Sequence, residues 1–224
     1  MNREAFAGEC ERIGLPLTGL QLDRFQEFEE NLYKWNEVMN LTRVPKGECW
    51  VRHFLDSLLI QEMIPKGASV LDIGTGPGFP AWPLACAKPD LQVVAIDSSG
   101  KMIGFLDNNP LENLKTLKVR AEEWGMRDAF DVVTGRAIAP LGIQLEISAP
   151  LCKFGGVILP MRTPSEREAV DKDVSDLGLR LENVVEKALP GTEIVRLFPV
   201  YRKVAKTPER YPRPWAEIRR RPII

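Results

Sequence analysis

An apolar run that ends in an acid and opens into glycine at three alternate positions constrains this chain more than any other feature. It reads Val70-Leu71-Asp72-Ile73-Gly74-Thr75-Gly76-Pro77-Gly78-Phe79-Pro80. Glycine reaches positive φ without a Cβ clash, so this spacing writes a tight loop at the end of a strand. A helical stretch follows near residues 81–88. Strand, loop and helix in that order belong to parallel sheets whose faces are covered.

The spacing also selects among ligands. A dinucleotide fingerprint needs G-x-G-x-x-G/A, because its third small residue lets helix and strand close beneath a pyrophosphate. Here Gly74, Gly76 and Gly78 give G-x-G-x-G, and Phe79 stands where that small residue belongs. Asp72 adds a carboxylate near the place two phosphates would occupy. S-adenosylmethionine has no phosphate and carries a cationic methionine part, so these five residues point to it. A glycine turn that binds nothing is the plainer alternative.

Beyond the loop, short β-rich runs at 92–97, 115–119, 130–134 and 154–160 join the one at 68–73, with helical stretches near 99–108 and 140–151 between them. Runs at 181–188 and 194–203 flank Pro190-Gly191, a turn signal, and suggest an antiparallel hairpin at the sheet edge. Ahead of the sheet, Thr18 and Gln21 form a capping-box pattern. Leu22, Phe25, Phe28, Leu32, Trp35 and Met39 then recur at helical spacing. Shorter helices are expected over 3–13 and 48–60. The expected architecture is α/β: a class I S-adenosylmethionine-dependent methyltransferase fold, Rossmann-like, with a mostly parallel seven-stranded sheet and a terminal antiparallel hairpin. In domain terms that is a helical extension over 1–64, an α/β domain over 65–205 and a basic tail over 206–224.

Composition narrows the function. Of 224 residues, 27% are charged and the formal net charge is −1, which argues against coating nucleic acid by bulk electrostatics. The charge is unevenly placed. From Arg202 to Ile224 eight Lys/Arg residues face Glu209 and Glu217, a local excess of +6 suited either to phosphates or to a solvated face. Four scattered cysteines and a single histidine, His53, offer no zinc site, so no metal is expected. Neither a signal peptide nor a membrane-length apolar run is visible, which leads to the expectation of a cytoplasmic protein without membrane contact, with its cysteines as thiols.

In a doubly wound sheet the ligand lies outside the carboxyl ends of the strands. Asp97, at the end of the second strand, can accept from ribose hydroxyls or cap the next helix ahead of Ser98 and Ser99. Ala121 and Glu122 follow the third strand, where adenine could be held. Arg136 follows the fourth, in Gly135-Arg136-Ala137. That strand end lacks the Asn/Asp-Pro-Pro-aromatic motif common in enzymes that methylate exocyclic amines. No cysteine follows a proline, which disfavours pyrimidine C5 chemistry. Guanine N7 already bears a lone pair and needs no general base, so no catalytic residue is required beyond those that position it. Arg52 and Asp56, four apart, read as an i,i+4 ion pair beside a packing histidine, His53.

Taken together these segments resemble the RsmG (GidB) family, which methylates N7 of a guanine in 16S small-subunit ribosomal RNA. The resemblance rests on Asn40-Leu41-Thr42, Arg52-His53-Phe54-Leu55-Asp56-Ser57-Leu58, the glycine loop, Arg120-Ala121-Glu122-Glu123, Arg136-Ala137 and Tyr211-Pro212-Arg213. It implies that Gly74, Phe79, Ala121, Glu122 and Arg136 contact S-adenosylmethionine, and that Asn40, Arg52, His53, Asp56 and Arg213 lie on the substrate side or shape the site. The implied partner is small-subunit ribosomal RNA or the small ribosomal subunit, met by a monomer. Ala81 stands where the family often has glycine, and Leu159-Pro160-Met161-Arg162 where a lysine-glycine pair is common, with Arg162 as a replacement charge. A nucleotide-dependent oxidoreductase and a ribosome-assembly binding factor with a vestigial pocket are the competing functions.

Overall fold

The computed structural model describes residues 1–224. Seven strands form one sheet: β1 (Ser69–Ile73), β2 (Gln92–Asp97), β3 (Leu114–Lys118), β4 (Phe130–Arg136), β5 (Cys152–Met161), β6 (Leu179–Ala188) and β7 (Val195–Lys203). Their order is β3-β2-β1-β4-β5-β7-β6. The pairs from β3 to β5 are parallel, whereas β7 runs antiparallel to both β5 and β6. This is the expected architecture. The order reverses between β1 and β4, so the crevice at their carboxyl ends is where a ligand belongs.

Strand alternation sorts the core onto two faces. On one face Val70 of β1 and Val93 of β2 meet α1 (Arg3–Arg12), α2 (Gly19–Met39), α4 (Ala81–Ala87) and α5 (Gly100–Asp107). Leu71 and Ile73 point the other way, toward α6 (Leu141–Ser148), α7 (Arg167–Val170) and α8 (Trp215–Arg220). The helices before the sheet join the first of these cores. Phe28 stacks on Trp82 at 4.0 Å, and Phe25 meets Phe54 edge-on at 4.9 Å. The capping box at Thr18 and Gln21 is formed, and Gln21 also reaches the carbonyls of Cys86 and Ala87 at the end of α4.

Two segments differ from expectation. The single helix expected over 48–60 is a 3-10 turn at Lys46–Glu48, a π-helical stretch at Trp50–Leu55 and a short α3 (Asp56–Leu58). Arg52 therefore pairs with Glu48 at 2.6 Å, and the Arg52–Asp56 pair does not form, because the fully buried Asp56 turns inward. The basic end is docked rather than free. Tyr211 and Ile218 are buried, and a Cβ on Gly142 would stand 2.8 Å from Ile224, so the terminus lies directly on α6.

Candidate functional site

A cleft of about 310 Å³ opens at the carboxyl ends of β1, β2 and β3. Its walls include Ile73, Gly74, Ile96, Asp97, Ala121 and Glu122, together with Ala137, Ile138, Ile147 and Trp215. Mostly apolar walls with a few converging polar groups are what a small cofactor needs, and the volume is at the lower end of ligand pockets. A polar groove of about 420 Å³ lies elsewhere, beside Ala68 and Val157 at the starting end of β1 and within β5. It is remote from the loop.

Four expected residues meet in the cleft: Gly74, Asp97, Ala121 and Glu122. Asp97 is not the N-cap of α5, a place taken by Ser99, but it accepts two backbone bonds. One carboxylate oxygen accepts from Ser99 N at 2.8 Å and the other from Gly76 N at 2.9 Å, tying the glycine loop to α5. A carboxylate has about four lone-pair sites, so acceptor capacity remains for two ribose hydroxyls. Glu122 is held by Arg120 at 2.7 Å. S-adenosylmethionine fits this set: hydroxyl acceptors at β2 and apolar walls for a purine. Gly76 contributes its N–H, and Gly78 is required because a Cβ there would come within 2.6 Å of Leu106 at φ +107.

Asp72 and Phe79 are placed otherwise. Asp72 is fully buried behind the loop, where one oxygen accepts from Thr75 Oγ1 at 2.6 Å and from Ala81 N at 3.1 Å. It shapes the loop instead of presenting a carboxylate to a ligand. Phe79 is also enclosed. Its ring stacks on His53 at 4.1 Å with planes 4° apart and faces the Arg136 guanidinium at 5.3 Å.

That contact opens onto a buried polar network, the second part of the site. Arg136, at the end of β4, donates to Asp56 at 2.9 Å, to the Arg52 carbonyl at 3.0 Å and to His53 Nδ1 at 3.0 Å. Since Arg136 can only donate, His53 is neutral with its proton on Nε2, and that proton goes to Thr42 Oγ1 at 2.7 Å. Arg196 of β7 grips Asp56 with two bonds, at 2.8 and 3.0 Å. His53, Asp56 and Arg136 are thus brought together. Arg52 contributes its carbonyl while its side chain leaves. Asn40 ends α2 at φ +50, exposed, and the neighbouring Thr42 is the residue that reaches the network.

Two basic candidates are spoken for. Arg213 is committed to the buried Glu146, through its backbone N and through side-chain bonds at 2.8 and 2.6 Å. Arg162 is buried and bonds the Ala139 carbonyl at 2.8 Å and the Gln144 side chain, so it braces the loop after β4 and does not present its charge. Sequence reasoning missed Arg196, Ile138 and Trp215. Ile138 directly follows the Arg136-Ala137 motif and Trp215 stands two residues beyond Tyr211-Pro212-Arg213, whereas Arg196 lies far from any motif, and no side-chain chemistry singled out the three.

The network has a pH signature. Burial pushes His53 down to about 3, helped by the charges of Arg136 and Arg52. Burial pushes Asp72 up to about 7, against the bonds from Thr75 and Ala81. The two oppose each other. His53 supports the folded state fully above its unfolded value near 6.5, and that support is lost as pH falls toward its folded value. Asp72 supports it below its unfolded value near 3.9, and that support is lost as pH rises toward its folded value. We expect His53→Gln, whose amide can still accept from Arg136 and donate to Thr42, to gain about 3 kcal/mol on the wild type between about pH 7 and 4. Urea melts at both pH values check this. A constant difference would mean that His53 titrates normally.

The comparisons agree with this geometry. The family model described as rRNA small subunit methyltransferase G matches residues 21–193. The chain is 35% identical over 239 residues to Ribosomal RNA small subunit methyltransferase G of Lactobacillus johnsonii, covering 100% of each. It is 38% identical to the Lachnoclostridium phytofermentans protein of that name, over 95% of this chain and 93% of the other, and 34% identical to the Bacillus subtilis one, over 95% of each. Among solved structures it is similar to the putative methyltransferase complexed with the Trm112 activator of Haloferax volcanii, with a TM-score of 0.60 at 17% identity over 80% of this chain and 98% of that one. That likeness concerns the fold alone.

Proposed function

This chain belongs to the rRNA small subunit methyltransferase G family, and we propose that it transfers the methyl group of S-adenosylmethionine to N7 of a guanine in 16S small-subunit ribosomal RNA. The cofactor supplies a sulfonium methyl open to in-line attack. The residues of the cleft hold and orient it: Asp97 toward the ribose, Ala121 and Glu122 beside the purine, Gly74 under the chain. Arg136, clamped by Asp56 and His53, fixes the end of β4, where the base must approach.

One observation carries the choice of N7. The two groups that clamp Arg136 are already engaged, Asp56 by two arginines and His53 through both ring nitrogens. Neither is left to remove a proton. An exocyclic amine would need a proton acceptor, whereas N7 attacks through an existing lone pair. Orientation alone can supply roughly 7–11 kcal/mol in favourable cases.

On this reading the enzyme works as a monomer in the cytoplasm, on the small subunit or its naked RNA. No helix is long and apolar enough to cross a membrane. Tritiated methyl transfer to naked 16S RNA and to intact small subunits, followed by nucleoside mass spectrometry, tests both activity and substrate form. The expected product is a single N7-methylguanine. Label on any other atom, or none while S-adenosylhomocysteine still binds, would overturn the proposal, the latter outcome in favour of a binding factor.

A further inference from the structure

At its β3 end the cleft is closed by Trp215, a residue from the far end of the chain. The indole is half-buried, and the Arg120 guanidinium lies over its face at 5.3 Å from the ring centroid. Arg120 is itself held by Glu122. The placement is costly to arrange. Ile218, one turn further along α8, is fully buried, and Arg213 just before the helix is bound to the fully buried Glu146 of α6. Arg127 grips the carbonyls of Thr207, Pro208 and Tyr211. The last residues of the chain are therefore strapped across α6 by buried ionic and apolar contacts, and the strap brings an aromatic ring to the cleft.

Around that ring the cleft is suited to a flat heterocycle. Ile96, Val119, Ala121 and Ile147 supply apolar surface, and Asp97 stands one strand nearer the loop with lone pairs for a ribose. Resting on the reading of this cleft as the S-adenosylmethionine site, we propose that Trp215 is an adenine-recognition residue, its indole face stacking on the purine beside Arg120. Stacking on an aromatic side chain tolerates any ring with a π-face, and Arg can add a cation–π contribution. It also explains why a residue outside every recognisable motif is fixed so firmly.

The test uses the full chain, titrated calorimetrically with S-adenosylhomocysteine and with adenosine, as wild type, Trp215→Phe and Trp215→Leu. The leucine variant should weaken both ligands by about tenfold, the size of one aromatic stack. The phenylalanine variant should stay within about threefold. Tryptophan emission gives a second readout: the change that S-adenosylhomocysteine induces in the wild type should vanish in Trp215→Phe although binding persists. The inference is overturned by wild-type affinity in Trp215→Leu, by an emission change that survives in Trp215→Phe, or by equal losses in both variants, which would mark a displaced strap. A wild type that binds no S-adenosylhomocysteine would remove the reading of the cleft itself.

Discussion

Asp56→Ala is expected to be the most destabilising single substitution in the polar network, at about 3–5 kcal/mol. Asp56 is fully buried and is the anion shared by Arg136 at 2.9 Å and Arg196 at 2.8 and 3.0 Å. Breaking a buried pair is costly because the partner's charge stays behind without compensation, and here two guanidiniums would be left facing each other. At this chain length the loss corresponds to a fall in Tm of roughly 6–20 °C. Arg196→Met should cost less, since it leaves the Arg136–Asp56 pair intact. The ordering matters as much as the size. Denaturant melts of both variants measure it, and Asp56→Ala within about 1 kcal/mol of the wild type would mean that water reaches the network. Because Arg136 also bonds the Arg52 carbonyl, the same substitution should loosen the π-helical stretch and lower methyl transfer even below the melting range.

What the sequence made legible was local. The loop from Val70 to Pro80 carries its own geometry in its glycines, and the helices and strands around it follow from hydrophobic period, so sheet, hairpin and cleft position could be read directly. The position of Asp97 in the cleft was legible because it ends β2. The network was not. Arg52 and Asp56 look like an i,i+4 pair only if the segment is α-helical, and the π-helical stretch rotates them apart. Arg213 reads as part of a basic end and, by resemblance, as a substrate-side or site-shaping residue, yet its partner Glu146 lies 67 positions earlier on a helix whose residues are all buried. Asp72 shows the opposite failure. Its position beside the glycines suggested a ligand contact, and burial turned it into a bolt for Thr75 and Ala81. Partners far apart in the chain leave no local pattern, and the resemblance to a family reached Arg136 and His53 only by analogy.

Gly74→Asp should abolish cofactor binding while leaving the fold close to wild type. Gly74 sits at φ +61, and a Cβ there would lie 3.2 and 3.3 Å from the two γ-carbons of Ile138. Aspartate is among the few residues that tolerate this left-handed region, so the backbone strain is only about 1–2 kcal/mol. The effect is felt in the cleft. Ile138 is part of its wall and belongs to the turn where Ala137 already has φ +55, so little slack remains for it to yield. The new carboxylate would also join Asp97 and Glu122 in the same small space. Affinity for S-adenosylhomocysteine should fall by about 100-fold or more, equivalent to roughly 3 kcal/mol, with Tm changing by only a few degrees. Gly76→Ala is the informative contrast, because its Cβ would meet nothing within 4 Å although φ is +57. That variant bears the backbone strain without entering the cleft. Calorimetric titration of the two separates conformational strain from occupation of the site: equal losses of affinity would show that loop conformation, and not the space beside Ile138, governs binding.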